Sequence, residues 1–140
     1  MNSRAKGCRG EREWRDELRA AGFLKSRRGQ QFSGGCDSPD VICEDLPSIH
    51  WEVKRTQKLN IYDAMLQAER DCGRATSCAC ASQIPVVAHK RNHGEWLCIL
   101  PAKDFLNILR RSDLPVSSSK MQSVASLNPK TLALPASSPD

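Results

Sequence analysis

Two carboxylates and an ammonium carry the chemistry of this chain. They are Asp40, in Ser38-Pro39-Asp40, and Glu52 and Lys54, in Trp51-Glu52-Val53-Lys54. Residues two apart on a strand share a side, so Glu52 and Lys54 project together while Val53 turns into apolar packing. If Asp40 opens one strand and Glu52 lies on the next, a hairpin brings the two carboxylates together. There they repel unless a cation sits between them. Mg²⁺, with Mn²⁺ as a substitute, suits such a place, because it is a hard ion satisfied by one or two carboxylates, a carbonyl and waters. An ammonium beside a phosphate can orient a water and offset developing negative charge. The set as a whole can hydrolyse a phosphodiester. A Glu-x-Lys pair by itself is a common feature of strand surfaces.

Glu11 adds a third acid. On a helix it lies near the azimuth of Trp14 and Leu18, so it borders the packed side, where an unpaired carboxylate is costly. A metal removes that cost. A first-turn acid favouring the helix dipole gives the same pattern for about 0.3–1 kcal/mol. The metal ligands expected are therefore Asp40, Glu52, Glu11 and the backbone of Val53. Gln67, on a second helix, can reach the lysine, a water or a phosphate, although a solvated glutamine has the same signature. Ser33-Gly34-Gly35 forms a loop able to approach a phosphate closely.

The positive charge is uneven. Residues 1–28 hold nine basic and four acidic side chains and carry the whole net charge of +5. A basic face suits a nucleic-acid backbone, where affinity comes from counterion release. Arg9, Arg12, Arg15, Arg28 and Arg55 are the expected DNA contacts. Other chemistries fit poorly. His50, His89 and His93 form no zinc-protease motif, there is no Walker loop or dinucleotide fingerprint, and Cys72, Cys78 and Cys80 lack the CxxC pairs of a zinc ribbon.

These residues resemble the PD-(D/E)XK nuclease superfamily and, within it, the archaeal-type Holliday-junction resolvases and their phage relatives. The resemblance runs through Lys6-Gly7-x-x-x-Glu11-Arg12, Leu18-Arg19 with Gly22-Phe23, Ser33-Gly34, Pro39-Asp40-Val41 and Glu52-Val53-Lys54. It covers about residues 4–110. It implies a restriction-endonuclease-like core, a Mg²⁺-dependent endonuclease, four-way-junction DNA as partner and a homodimer. It also implies catalytic roles for Glu11, Asp40, Glu52 and Lys54, with Ser33 near the scissile phosphate and Gln67 as the extra helix glutamine. A related nuclease for flapped, nicked or duplex DNA carries the same residues. A DNA-binding protein that cuts nothing is the reading from another class; phosphate binding alone does not call for three clustered carboxylates, which repel it.

The elements that must position these groups follow from periodicity. Residues 1–9 suggest a flexible basic arm, residues 10–112 the nuclease domain, and residues 113–140 a Ser/Pro-rich disordered tail. The spacing predicts helices over Glu11–Ala21, Ile61–Asp71 and Lys103–Arg111. Strands are predicted over Asp40–Cys43, Ile49–Arg55, Ile84–His89 and Glu95–Leu100, with a short one beginning in Phe23–Ser26. The pattern is that of an α/β or α+β domain with a mixed central β-sheet flanked by helices. Phe105, Leu106 and Leu109 fit either the single core or a self-association surface. No apolar run reaches the roughly 18 residues of a membrane span, and no h-region follows the basic start, which predicts a cytoplasmic protein. Removal of residues 113–140 should leave folding and activity nearly unchanged, checked by soluble yield and thermal unfolding of the truncated chain.

Overall fold

The computed structural model describes residues 2–29, 39–73 and 83–115. In chain order they form α1 (Ser3–Ala20), β1 (Ser26–Arg28), β2 (Val41–Cys43), β3 (Ile49–Arg55), α2 (Ile61–Asp71), β4 (Ile84–Lys90), β5 (Leu97–Ile99) and α3 (Ala102–Arg111). The strands make one mixed sheet in the order β1-β2-β3-β4-β5, antiparallel except for the parallel β3–β4 pair. This is the mixed-sheet α+β fold expected. The chain divides into two units, residues 1–106 and 107–140. The first holds the sheet, α1, α2 and the start of α3. In the second, the described part is the end of α3 and residues 112–115, where Ser112 Oγ donates to the Leu109 carbonyl at 2.8 Å. No helix among the described residues is long and apolar enough to cross a membrane.

Helix α1 differs from expectation at its start. It begins at Ser3, with the Asn2 side chain accepting from Arg4 N at 3.1 Å, so the segment read as a flexible arm is helical from Ser3 onward. Cys8 and Arg9 therefore lie on its ordered surface. The helix ends as the sequence suggested. Gly22 takes φ of 103°, and Gly22 N and Phe23 N donate back to Arg19 O and Leu18 O at 3.0 Å each. Phe23 then packs against the core cluster that holds Leu18.

The alternation of β3 divides its side chains between two layers. Trp51 and Val53 join Trp14 and Leu18 of α1, together with Val41, Val86 and Ala88, in the larger core cluster. Val87 joins Ala64 and Ala68 of α2 in the smaller one. By the same alternation Glu52 and Lys54 face the α2 layer, and Val53 and Arg55 face the α1 layer. Trp14 sits between Trp51 and Trp96, at ring-centroid distances of 5.1 Å to each. Tilted aromatic contacts of this kind add about 0.5–1.5 kcal/mol beyond buried area.

Helix α2 is capped by Asn60, whose side chain accepts from Asp63 N at 3.2 Å. Its packed side is Ala64, Ala68 and Met65, and Ile61 at its start is half exposed. Phe105 and Leu106 are exposed rather than part of the core. The β4–β5 hairpin forms as expected, but its outer strand is only three residues long.

Gly10 sets how near α1 comes to the sheet. A Cβ there would stand 2.9 Å from Arg55 Cβ and 3.6 Å from Val53 Cγ1. Gly10→Ala should therefore lower stability by about 1–2 kcal/mol, because overpacking outweighs the better helix propensity of Ala. Equilibrium denaturation of the two proteins checks this.

Candidate active site

The site forms where β2 parts from β3. The ladder between them holds at Val41↔Trp51, and Asp40 N still donates to Trp51 O at 3.1 Å. Beyond that point β3 continues without β2. The next N–H on that edge is Val53's, and Asp40 Oδ2 accepts it at 2.8 Å. The carboxylate thus satisfies a backbone donor that the departing strand leaves behind. A strand residue directs its N–H and C=O to the same edge, so the Val53 carbonyl faces the same gap. Gly29 makes this turn of the chain possible. Its N–H donates to Asp40 O at 2.9 Å, and a Cβ at this position would collide with the Pro39 carbonyl.

Glu52 and Lys54 stand together on the α2 face, as predicted. Lys54 Nζ lies 2.7 Å from Glu52 Oε1, Gln67 Nε2 donates to Glu52 Oε1 at 2.9 Å, and Lys54 Nζ donates to Gln67 Oε1 at 2.8 Å. These three side chains close a triangle. Gln67 is thereby brought into the site rather than into solvent. Glu11 reaches the gap from α1 and is buried, 5% exposed. Its Oε2 accepts from Arg28 Nε at 2.7 Å and also from Arg28 Nη2.

Each of the three acids has one oxygen engaged by protein. The other oxygen of each, Glu11 Oε1, Asp40 Oδ1 and Glu52 Oε2, has no partner among the described residues. Burial pushes the Asp40 carboxyl up to about 7, with the Glu52 charge adding and the Val53 N–H opposing. Burial likewise pushes Glu52 up, against the hydrogen bond and charge of Lys54. The charge of Glu11 raises both. The three acids are therefore electrostatic neighbours in a poorly hydrated place.

Among the described residues no three His, Cys, Asp or Glu side chains close tightly enough to hold a metal by themselves. Arg28 draws Glu11 to itself and Lys54 draws Glu52, so the protein's own cations offset the charge. Asp40 and Glu52, each with an open oxygen, and the Val53 carbonyl still match what Mg²⁺ demands, since that ion keeps several waters. Glu11, the third expected ligand, is held by Arg28 and acts on the other two through its charge.

Four of the five arginines expected on DNA pair with acids of the chain. Arg12 is exposed, Arg9 binds Glu13 at 2.8 Å on the helix surface, and Arg15 binds Asp16 at 2.7 Å. Arg28 and Arg55 are half-buried and pair with acids of the fold. Arg28 holds Glu11. Arg55, only 12% exposed, donates to Glu13 Oε2 at 3.1 Å and to Asn92 Oδ1 at 3.2 Å. Glu13 is the hub of that second network. Pairings across 17 and 42 residues leave no spacing signal in the sequence. Ser33, and the Cys78 and Cys80 part of the cysteine loop, lie outside the described residues.

Comparison of the chain with family models, with curated proteins and with solved structures gave no match. The chemistry of the site must therefore be read from its own residues.

A pH dependence follows. Asp40 holds its proton more tightly in the fold, at about 7, than at its ordinary value of 3.8. Its contribution to stability is then full below that ordinary value and is lost as pH rises through the folded value. In EDTA, wild-type Tm should fall between about pH 5 and about pH 8, and the fall should shrink in Asp40→Asn. Added Mg²⁺ should raise the wild-type Tm at the higher pH and leave the variant nearly unmoved.

Proposed function

We propose that this chain is a Mg²⁺-dependent DNA endonuclease. The observation that carries the reading is the half-buried Asp40 carboxylate and the buried Glu52 carboxylate, each with an oxygen unpartnered among the described residues, beside an ammonium that Glu52 and Gln67 hold in place. Simple phosphate binding is not served by buried acids. A cation-assisted phosphodiester hydrolysis is.

Asp40 and Glu52 would hold the metal, with the Val53 carbonyl as the neutral donor. When bound, Mg²⁺ supplies positive charge at the scissile phosphate and acidifies a water. Lys54 has one donor left after its bonds to Glu52 and Gln67. It can orient that water and stabilise the negative charge that grows on the phosphoryl oxygens. The water oxygen adds to phosphorus, the P–O bond to one sugar breaks, and the leaving oxygen takes up a proton. Gln67 keeps Lys54 and Glu52 at fixed separation, so no rearrangement of either is needed during the step. Glu11, paired with Arg28, would adjust the charge of the site rather than bind the ion.

Among DNA targets we favour the four-way junction, cut by a homodimer, because the sequence resembles resolvases in the motifs that bracket the site. Symmetric cutting requires two sites held about a two-fold axis. Exposed Tyr62 (82%) and Leu66 (63%) on α2 leave apolar area for such an association.

Labelled four-way junction, flap and linear duplex, each incubated with Mg²⁺ and with EDTA, test the reading. Cutting should require Mg²⁺ or Mn²⁺. Lys54→Ala and Asp40→Asn should each lower the rate by about a hundredfold or more while DNA binding persists. Undiminished cutting in EDTA removes the mechanism. Binding without any cutting would leave a DNA-binding protein, and a monomer that nicks linear duplex equally well would remove the resolvase assignment.

A further inference from the structure

A second cluster of charge lies on the opposite face of the sheet. A cleft of about 800 Å³ opens between the first turns of α1, the ends of β3 and β4, and the turn from Arg91 to Gly94. Four cations line it: Lys6, Arg9, Arg55 and Lys90. One carboxylate, Glu13, faces them. The Glu13 carboxylate binds Arg9 at 2.8 Å and Arg55 at 3.1 Å and stands 4.0 Å from Lys90. Burial acts against its ionisation, but the bonds from Arg9 and Arg55 overrule it and hold Glu13 below the usual carboxylate range. One anion thus organises several cations, and the surplus is positive.

Arg55 and Lys90 are also held before any ligand arrives. Arg55 is gripped from two sides, by Glu13 and by Asn92 Oδ1, and its Nη2 has no partner among the described residues. Lys90 Nζ lies 5.5 Å from the centroid of the Trp96 ring, a cation–π distance that holds the side chain over the indole. Lys6 has no side-chain partner among the described residues. Asn92 is itself anchored, its N–H donating to Gln57 Oε1 at 2.9 Å. His93, on the lip, takes φ of 59°, a left-handed conformation that is uncommon for a non-glycine residue and collects at ligand sites.

We propose that this cleft is a phosphate site for a nucleic-acid strand, distinct from the carboxylate cluster and on the other side of β3. The proposal rests on the nucleic-acid part of the preceding reading and deepens it. A phosphate is the anion that matches an arginine fork backed by separate ammonium groups, and the surplus charge suits it. Arg55 follows Lys54 directly on β3, so a strand held here passes the sheet at the end where the reacting groups lie. The site can take an internal diester or the phosphate at a strand terminus.

The test uses the full chain in EDTA, so that binding is read without cutting. Anisotropy of 3′-labelled oligonucleotides, with 5′-phosphate or 5′-hydroxyl, is measured for wild type, Lys6→Gln, Lys90→Gln and, as an equal charge change elsewhere, Lys103→Gln. Thermal unfolding confirms that each variant folds. Lys6→Gln and Lys90→Gln should each weaken binding by about tenfold and flatten the salt dependence by about one counterion, with Lys103→Gln near wild type. A preference for the 5′-phosphate that vanishes in Lys90→Gln assigns the site to strand ends; equal loss with both ends assigns it to internal diesters. Unchanged affinity in both cleft variants overturns the proposal. So does an equal loss in Lys103→Gln, or displacement of the DNA by polyglutamate at matched charge concentration. A wild-type chain that never cuts DNA with Mg²⁺ yet shows Lys90-dependent binding removes the nuclease reading and leaves the cleft standing.

Discussion

Negative charge buried at the parting of two strands governs this structure. Asp40, Glu52 and Glu11 meet around the gap that β2 leaves beside β3, and taking each charge out of water costs several kcal/mol unless it is compensated. The surrounding groups supply that compensation. The Val53 N–H binds Asp40, Lys54 and Gln67 bind Glu52, and Arg28 binds Glu11. Even so, burial and mutual repulsion keep Asp40 and Glu52 above the ordinary carboxylate range. What remains unbalanced is a capacity for positive charge, which the proposed divalent cation would fill.

The scaffold is arranged to bring those acids in from different directions. Glu52 comes from a central strand that is buried on both sides, Asp40 from the end of a short neighbour, and Glu11 from a helix pressed on the opposite layer. The helix can come that close because Gly10, next to Glu11, has no side chain to hold it off Arg55 and Val53. The aromatic stack of Trp51, Trp14 and Trp96 then fixes the rotation of α1 against the sheet. With Trp14 held inward, Glu11 three residues earlier is held inward as well.

Much of this was legible in the sequence. Alternation gave the faces of Glu52, Val53 and Lys54, and the short connection between two β-rich runs gave the antiparallel β2–β3 pair. The 3.6 period gave α2, which placed Gln67. Less was legible wherever the partner is far along the chain. Nothing local marks Arg28 as the companion of Glu11, or Glu13 as that of Arg55. A charged residue on a helix or strand end reads as solvated until the fold brings its opposite near. The start of α1 was missed for a related reason. Its first turns are basic and bury no apolar side chain, so the periodic signal begins only at Trp14, whereas the helix extends back to the Asn2 cap.

Strand β3 makes the two charged regions inseparable. Its even residues, Glu52 and Lys54, serve the α2 face, and its odd residues, Val53 and Arg55, serve the α1 face. A slip of one residue would exchange the sets, placing Val53 and Arg55 beside Gln67 and burying Glu52 and Lys54 against Trp14. Seven consecutive parallel pairs with β4, from Ile49↔Ile84 to Arg55↔Lys90, oppose such a slip. Trp51 and Val53 oppose it further, because each fills the α1 core. The same register sets Lys90 beside Arg55, so the ladder that aligns the acids on one face also aligns the cations on the other. Core packing and charge placement thus depend on one pairing, and a change that loosened β3 against β4 would disturb both faces together.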